Sequence, residues 1–159
     1  MGSAARRAAR SVVGMVGARR WPAYTLALLF LGYAAGKAAF AVQARLGFPG
    51  GPPVSAEETA SYVLDPATAQ WFASASGVAG ACIALATVTA VGCRVPRTVM
   101  LAVLAVLLLA VGGGAAIMVV DAFIGIGVGW QWYHGVLGIV AIALLAEMTR
   151  SYARAGRHR

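Results

Sequence analysis

Polar and apolar positions along the chain follow neither a strand alternation nor the single apolar stripe of a soluble amphipathic helix. Four runs, over about residues 22–44, 68–92, 98–120 and 130–149, are apolar on every face. Each reaches the roughly 20 apolar residues that cross a hydrocarbon core about 30 Å thick. The pattern therefore predicts an all-α fold, a four-helix transmembrane bundle. The stretch 98–130 is too long for one crossing and too short for two, and Asp121 with Gly125-Ile126-Gly127-Val128-Gly129 places a turn inside it.

Between the runs lie helix-breaking and helix-starting signals. Pro49-Gly50-Gly51-Pro52-Pro53 interrupts any helix after the first run. Ser55-Ala56-Glu57-Glu58 offers a capping box for a short helix ending near Tyr62. Asp65-Pro66 suits the start of the second span, because aspartate caps free amides and proline at the first helical position gives up no needed donor. The organisation expected is a basic segment over 1–20, a membrane domain over 21–149 and a basic tail over 150–159. The first span exceeds the apolar region of a cleavable signal and contains Lys37, so it is expected to be retained.

Charge then orients the bundle. Eleven of the 13 basic residues fall in 1–20, in the Arg94–Arg97 turn and from Arg150 onward. By the positive-inside rule these segments, and both termini, are cytoplasmic. Glu57, Glu58, Asp65 and Asp121 fall on the opposite side with Arg45. Residues 1–20 project Ala5, Ala9, Val12, Met15 and Val16 away from Arg6, Arg7 and Arg10, the pattern either of an amphipathic helix lying on anionic lipid or of a disordered basic tail. Trp21, Trp71, Trp130, Trp132 and Tyr133 sit at span ends, where amphipathic rings prefer the headgroup region.

Composition agrees with lipid as the solvent. The chain has 159 residues, is 60% hydrophobic and 11% charged, and has a mean hydropathy of +0.78. A net charge of +8 implies nucleic acid in a soluble protein, but here topology accounts for the arginines. Cys82 and Cys93 lie roughly 16 Å apart along one helix and cannot bridge each other. No Cys-x-x-Cys motif is present, which argues against thiol oxidoreduction. His134 and His158 fall on opposite sides of the membrane, so no metal site and no cofactor is expected.

Candidate chemistry is confined to one depth. Lys37, the sole lysine, lies roughly 22 Å along the first span, about 8 Å short of the outer boundary. An ionisable group there must find water or a partner. By the same arithmetic His134 lies about 6 Å below that boundary and Asp121 near it. With Tyr33 and Gln131 they are candidates for a ligand-binding pocket open to the outside, with Asp121 pairing with Lys37. The plainer reading is a snorkelling lysine, a loop aspartate and a histidine among headgroups. Glu147, about 20 Å deeper than His134, is expected to pair with Arg150 one turn on. Gly32-x-x-x-Gly36 is a candidate helix-packing face, within the chain or between subunits.

Tyr33-Ala-Ala-Gly-Lys37 followed by Arg45-Leu-Gly-Phe-Pro-Gly50 resembles the first helix and outer loop of small four-span actinobacterial membrane proteins without assigned function. The resemblance covers about a quarter of the chain and implies the four-helix topology, with nothing on reaction or substrate. The arginine-, alanine- and glycine-rich composition fits a GC-rich bacterial source.

The functional expectation is a polytopic protein of the bacterial cytoplasmic membrane, non-enzymatic, serving as a small-solute binding or transport accessory or as a partner subunit. Its partners would be the lipid bilayer and either a second copy or another membrane protein, and no nucleic acid. The alternative is a membrane enzyme acting on a lipid or isoprenoid at the outer leaflet, with His134 and Asp121 as acid and base. A channel would need polar residues along a full pore, and the spans carry almost none between their ends.

Overall fold

The computed structural model describes residues 20–155, all helix, turn and loop without a strand. It contains α1 (Trp21–Val42), α2 (Ala56–Ser61), α3 (Pro66–Ala86), α4 (Arg97–Ile124) and α5 (Trp132–Ala155), with a 3-10 turn at Gly92–Arg94. Four of them, α1, α3, α4 and α5, are long and apolar enough to cross a membrane. The segment 1–20 lies outside the described residues except for Arg20, as does the tail beyond Ala155.

Helix limits follow local chemistry. Asp65 accepts hydrogen bonds from the amides of Ala67 and Thr68 at 3.0 and 3.1 Å, and Pro66 opens α3 behind it. Ser55 and Glu58 close both bonds of a capping box at the start of α2. α3 ends at Ala86, short of Gly92, where Thr87 turns its hydroxyl onto the Ala84 carbonyl. There the chain folds back so closely that Gly92 lies against the Ala86 carbonyl, where no side chain fits. At the other extreme α4 runs past Asp121 to Ile124 and stops at Gly125, whose φ of 76° is a left-handed conformation favourable to glycine. α5 begins at Trp132 and continues beyond residue 149 to Ala155, carrying Arg150 and Arg154 on the helix.

The densest packing lies at one end of the bundle. Leu26 of α1, Leu104 of α4 and Leu145 of α5 are almost completely buried among Ala81, Ala84, Met100 and Met148. These positions mark the start of α1, the end of α3, the start of α4 and the end of α5, so successive spans alternate in direction. Elsewhere the bundle resolves into two hairpins, α1 on α3 and α4 on α5, with α1 touching α5 between them. The end with the 87–96 connection is called the core end below. The end with the 43–65 connection and the 125–131 turn is called the loop end.

Glycine controls both hairpins. A Cβ at Gly77 would lie 2.9 Å from the Tyr33 ring and 3.0 Å from the Phe30 carbonyl, and one at Gly80 would lie 2.9 Å from the Phe30 ring. In the second hairpin a Cβ at Gly135 would meet the Phe123 ring at 2.6 Å, and one at Gly138 would meet Val119 at 2.8 Å. Lipid gives helices no hydrophobic reason to associate, so close backbone approach of this kind, with interhelical hydrogen bonds, is what favours their packing. Gly32 has nothing within 4 Å, and Gly36 faces Pro49 and Phe48 of the loop at 3.3 and 3.4 Å. Among the described residues, the nearest neighbours of the α1 glycines thus come from the loop and not from another long helix.

Candidate functional site

The loop end holds every residue singled out for chemistry, but in two separate groups. In the first, Lys37 sits near the end of α1 and reaches the returning loop. Its ammonium donates to the Gly47 carbonyl at 2.8 Å and lies 5.6 Å from the centroid of Tyr33 and 5.8 Å from that of Phe48. Tyr33 and Phe48 stack on each other, with centroids 5.8 Å apart and planes 18° apart. A lysine among apolar helices thus gains a carbonyl dipole and two aromatic faces in place of water.

Gln70, in the second turn of α3, joins the same group. Its Nε2 donates to Gly47 at 2.9 Å and to Arg45 at 3.0 Å, and the residue is 2% exposed. One turn deeper, the Ser74 hydroxyl donates to the Ala34 carbonyl of α1 at 2.9 Å. Neither residue was singled out from sequence. The available signal was depth: Gln70 follows Pro66 by four residues and Lys37 precedes Val42 by five, which puts both about 6 to 8 Å from the same end.

The second group is the α4–α5 turn. Asp121 is buried, and its Oδ2 accepts from the amides of Gly129 at 2.9 Å and Trp130 at 3.1 Å. Gly127 presses on the carboxyl so closely that a Cβ would lie 2.7 Å from its Cγ. The turn therefore wraps around the aspartate. His134, 5% exposed, lies one turn into α5 with its ring 4.9 Å from Trp130 and 4.3 Å from Tyr133. Gln131 is exposed, and its backbone carbonyl accepts the His134 amide at 2.9 Å. Oδ1 of Asp121 and Nδ1 of His134 are buried without a hydrogen-bond partner.

Lys37 and Asp121 do not pair, since each is committed to backbone of its own hairpin. Glu147, half-buried, and Arg150, exposed, form no ion pair either, in keeping with the small gain available near the surface to a pair that must order two side chains. What links the two groups is the loop between them. Tyr133 donates its hydroxyl to the Gly50 carbonyl at 3.4 Å, and Gly51 lies against the Trp130 ring, at 3.2 Å from the position of a Cβ. Residues 47–51 thus cover the loop end, held by Lys37 and Gln70 on one hairpin and by Trp130 and Tyr133 on the other.

Compared with protein-family models, with curated proteins and with solved structures, the chain matches none. The site is therefore read from its own geometry. Lys37, Gln70, Ser74 and Asp121 all engage backbone atoms, a chemistry that fixes loop paths and helix contacts. Among the described residues no three of His, Cys, Asp and Glu gather where a metal ion would need them.

Outside the membrane span, the carboxyl of Glu58 is held below its usual range by its hydrogen bonds with the backbone and then the side chain of Ser55. That of Asp65 is held low by the side chain and amide of Thr68 and by the amide of Ala67. Both are capping effects and stabilise the anion.

Proposed function

We propose that this protein is a non-enzymatic, multi-pass component of the bacterial cytoplasmic membrane, with both termini inside, that works by holding another membrane helix against α4. The observation that carries the reading is the imbalance of α4. It is the most apolar of the four long helices, yet only 6% of its most apolar stretch is buried, against 22%, 33% and 22% for the others. At 28 residues it is about 42 Å long, well beyond the hydrocarbon core. Its buried residues are Met100 and Leu104 near one end and Asp121 near the other.

Midway along the uncovered length stand Gly112, Gly113 and Gly114, where Gly113 and Gly114 have nothing within 4 Å. Glycine in a helix interior costs up to about 1 kcal/mol relative to alanine. Facing lipid, such a notch returns nothing; facing a second helix, it permits backbone approach. The engagement of Lys37, Gln70 and Asp121 with backbone supports a scaffold in place of a reaction centre. The partner is a second copy or a different membrane subunit.

One observation favours the enzymatic alternative: Asp121 Oδ1 and His134 Nδ1 are buried and unpartnered, on the two helices that the 125–131 turn joins. A single experiment separates the two readings. A deletion strain is complemented with wild type, Gly113→Trp and His134→Ala, each matched for membrane abundance by blotting. The partner reading predicts that His134→Ala restores the wild-type phenotype and Gly113→Trp does not. Failure of His134→Ala with success of Gly113→Trp would overturn it in favour of acid–base chemistry at the turn.

A further inference from the structure

The loop that covers the bundle borders a cavity of its own. Between the last turn of α1, residues 44–54 and Thr59 of α2 lies an open cavity of about 410 Å³. Its walls include Phe40, Phe48, Pro52, Pro53 and Val54, and its one charged lining residue is Arg45. We propose that this cavity binds the headgroup region of an anionic amphiphile, a lipid carrying a phosphate or carboxylate, with Arg45 receiving the anion and the proline and phenylalanine walls receiving the adjoining apolar part.

Among the described residues Arg45 has no carboxylate partner; its guanidinium rests 5.5 Å from the centroid of the Phe40 ring. An aromatic ring at that distance takes up none of the N–H donors, and Arg45 is exposed, so its fork of donors is available to an anion. A second positive charge is bonded to the cavity lining, since the Lys37 ammonium donates to the carbonyl of Gly47. No acidic residue lines the space. Of the two nearest carboxylates on α2, that of Glu58 is held by the Ser55 amide.

Size argues against a bare inorganic ion. A volume of about 410 Å³ lies within the usual range of organic-ligand sites, roughly 300–1,000 Å³. The cavity is also rigid where it matters. Gly47 lies between Phe40 and Val54, with φ of +113° and a Cβ position 3.5 Å from each, so any side chain there would project between two cavity walls. Its carbonyl is fixed by both Lys37 and Gln70.

Position selects a lipid over a soluble anion. Arg45 follows the last residue of α1, Val42, by three positions, at the level where a span leaves the hydrocarbon. At the same end Tyr62, Val63 and Leu64 are 58%, 99% and 46% exposed, an apolar edge suited to the headgroup boundary. A lipid can reach the cavity from whichever leaflet the loop end faces, with or without a partner on α4.

The test uses the full chain purified in a neutral detergent and titrated with short-chain phosphatidylglycerol, short-chain phosphatidylcholine or inorganic phosphate, with adducts counted by native mass spectrometry. Saturable binding of one phosphatidylglycerol is expected, weakened about 10-fold or more in Arg45→Ala and largely kept in Arg45→Lys. Val54→Trp, which fills the cavity without touching Arg45, is expected to weaken it as well while its unfolding midpoint stays at the wild-type value. Equal binding of phosphatidylcholine would overturn the proposal, as would equal binding by Arg45→Ala. Displacement of phosphatidylglycerol by an equal concentration of inorganic phosphate would assign the site to a free anion and overturn it too.

Discussion

Lys37 of α1 and Gln70 of α3 donate to one and the same acceptor, the carbonyl oxygen of Gly47, at 2.8 and 2.9 Å. Two polar side chains on neighbouring spans thereby fix the path of a loop that neither belongs to. An ammonium inside an apolar span is costly unless compensated, and here it is compensated by a carbonyl dipole and two aromatic rings.

Sharing of one acceptor predicts coupling. Lys37→Met leaves Gly47 with the Gln70 bond, and Gln70→Leu leaves it with the lysine, so each is expected to lower unfolding stability in detergent by about 1 kcal/mol. The double variant strands the carbonyl and is expected to cost more than the sum of the two. Simple additivity would show that the acceptor is satisfied by other means.

Asp121 predicts a graded series. Asp121→Ala releases the Gly129 and Trp130 amides and is expected to destabilise by about 1–3 kcal/mol, whereas Asp121→Asn keeps an acceptor oxygen and is expected to fall between it and wild type. Thermal unfolding followed by tryptophan fluorescence checks the order. An asparagine variant as unstable as the alanine one would mean that the negative charge, not the cap, is what matters.

The glycines divide into two classes. Gly77→Ala and Gly135→Ala place a Cβ within 3.0 Å of neighbouring atoms and are expected to destabilise the α1–α3 and α4–α5 hairpins by about 1–3 kcal/mol. Gly32→Ala meets open space and is expected to be neutral or to stabilise by up to about 1 kcal/mol through helix propensity. Reversal of that order in an unfolding titration would contradict the packing described.

This division also shows what the sequence made legible. The four spans were readable as unbroken apolar runs of roughly 20 residues, and the Asp65-Pro66 helix start and the Ser55 capping box because each depends on residues within one turn of one another. Gly32 and Gly36 had the spacing of a helix contact, but spacing does not say which face meets a neighbour; that depends on how Phe30 and Tyr33 of α1 pack on Gly77 and Gly80 of α3. Lys37 was legible as a residue in need of a partner, but its partner was not. The acceptor is a backbone carbonyl, which every residue possesses, and it becomes available only because the loop folds back over the bundle.

Acid should loosen the loop end before the spans. Glu58 and Asp65 have carboxyls held below their usual range by capping bonds, so the folded state keeps them ionised where the unfolded chain would bind protons. Their stabilisation is complete above the ordinary carboxylate range of about 3.9 to 4.3 and is lost as the pH falls through the lower folded values. Hydrogen exchange at the Ser55, Ala67 and Thr68 amides, which donate to these two carboxylates, corrected for intrinsic rates, is expected to show protection falling across that range, with Glu58→Gln and Asp65→Asn removing the dependence. Constant protection down to about pH 3 would argue against the caps.

The claim beneath all of these is that four helices cross the membrane and bring the 43–65 connection and the 125–131 turn to one side, opposite the 87–96 connection. Cysteine labelling in intact cells tests it most directly. In a Cys82→Ser background, Val63→Cys and Ile126→Cys, each combined with Cys93→Ser, are expected to react with a membrane-impermeant maleimide, while Cys93, exposed at the core end, reacts only after permeabilisation. Labelling of Cys93 from the same side as residues 63 and 126 would contradict the four-span account.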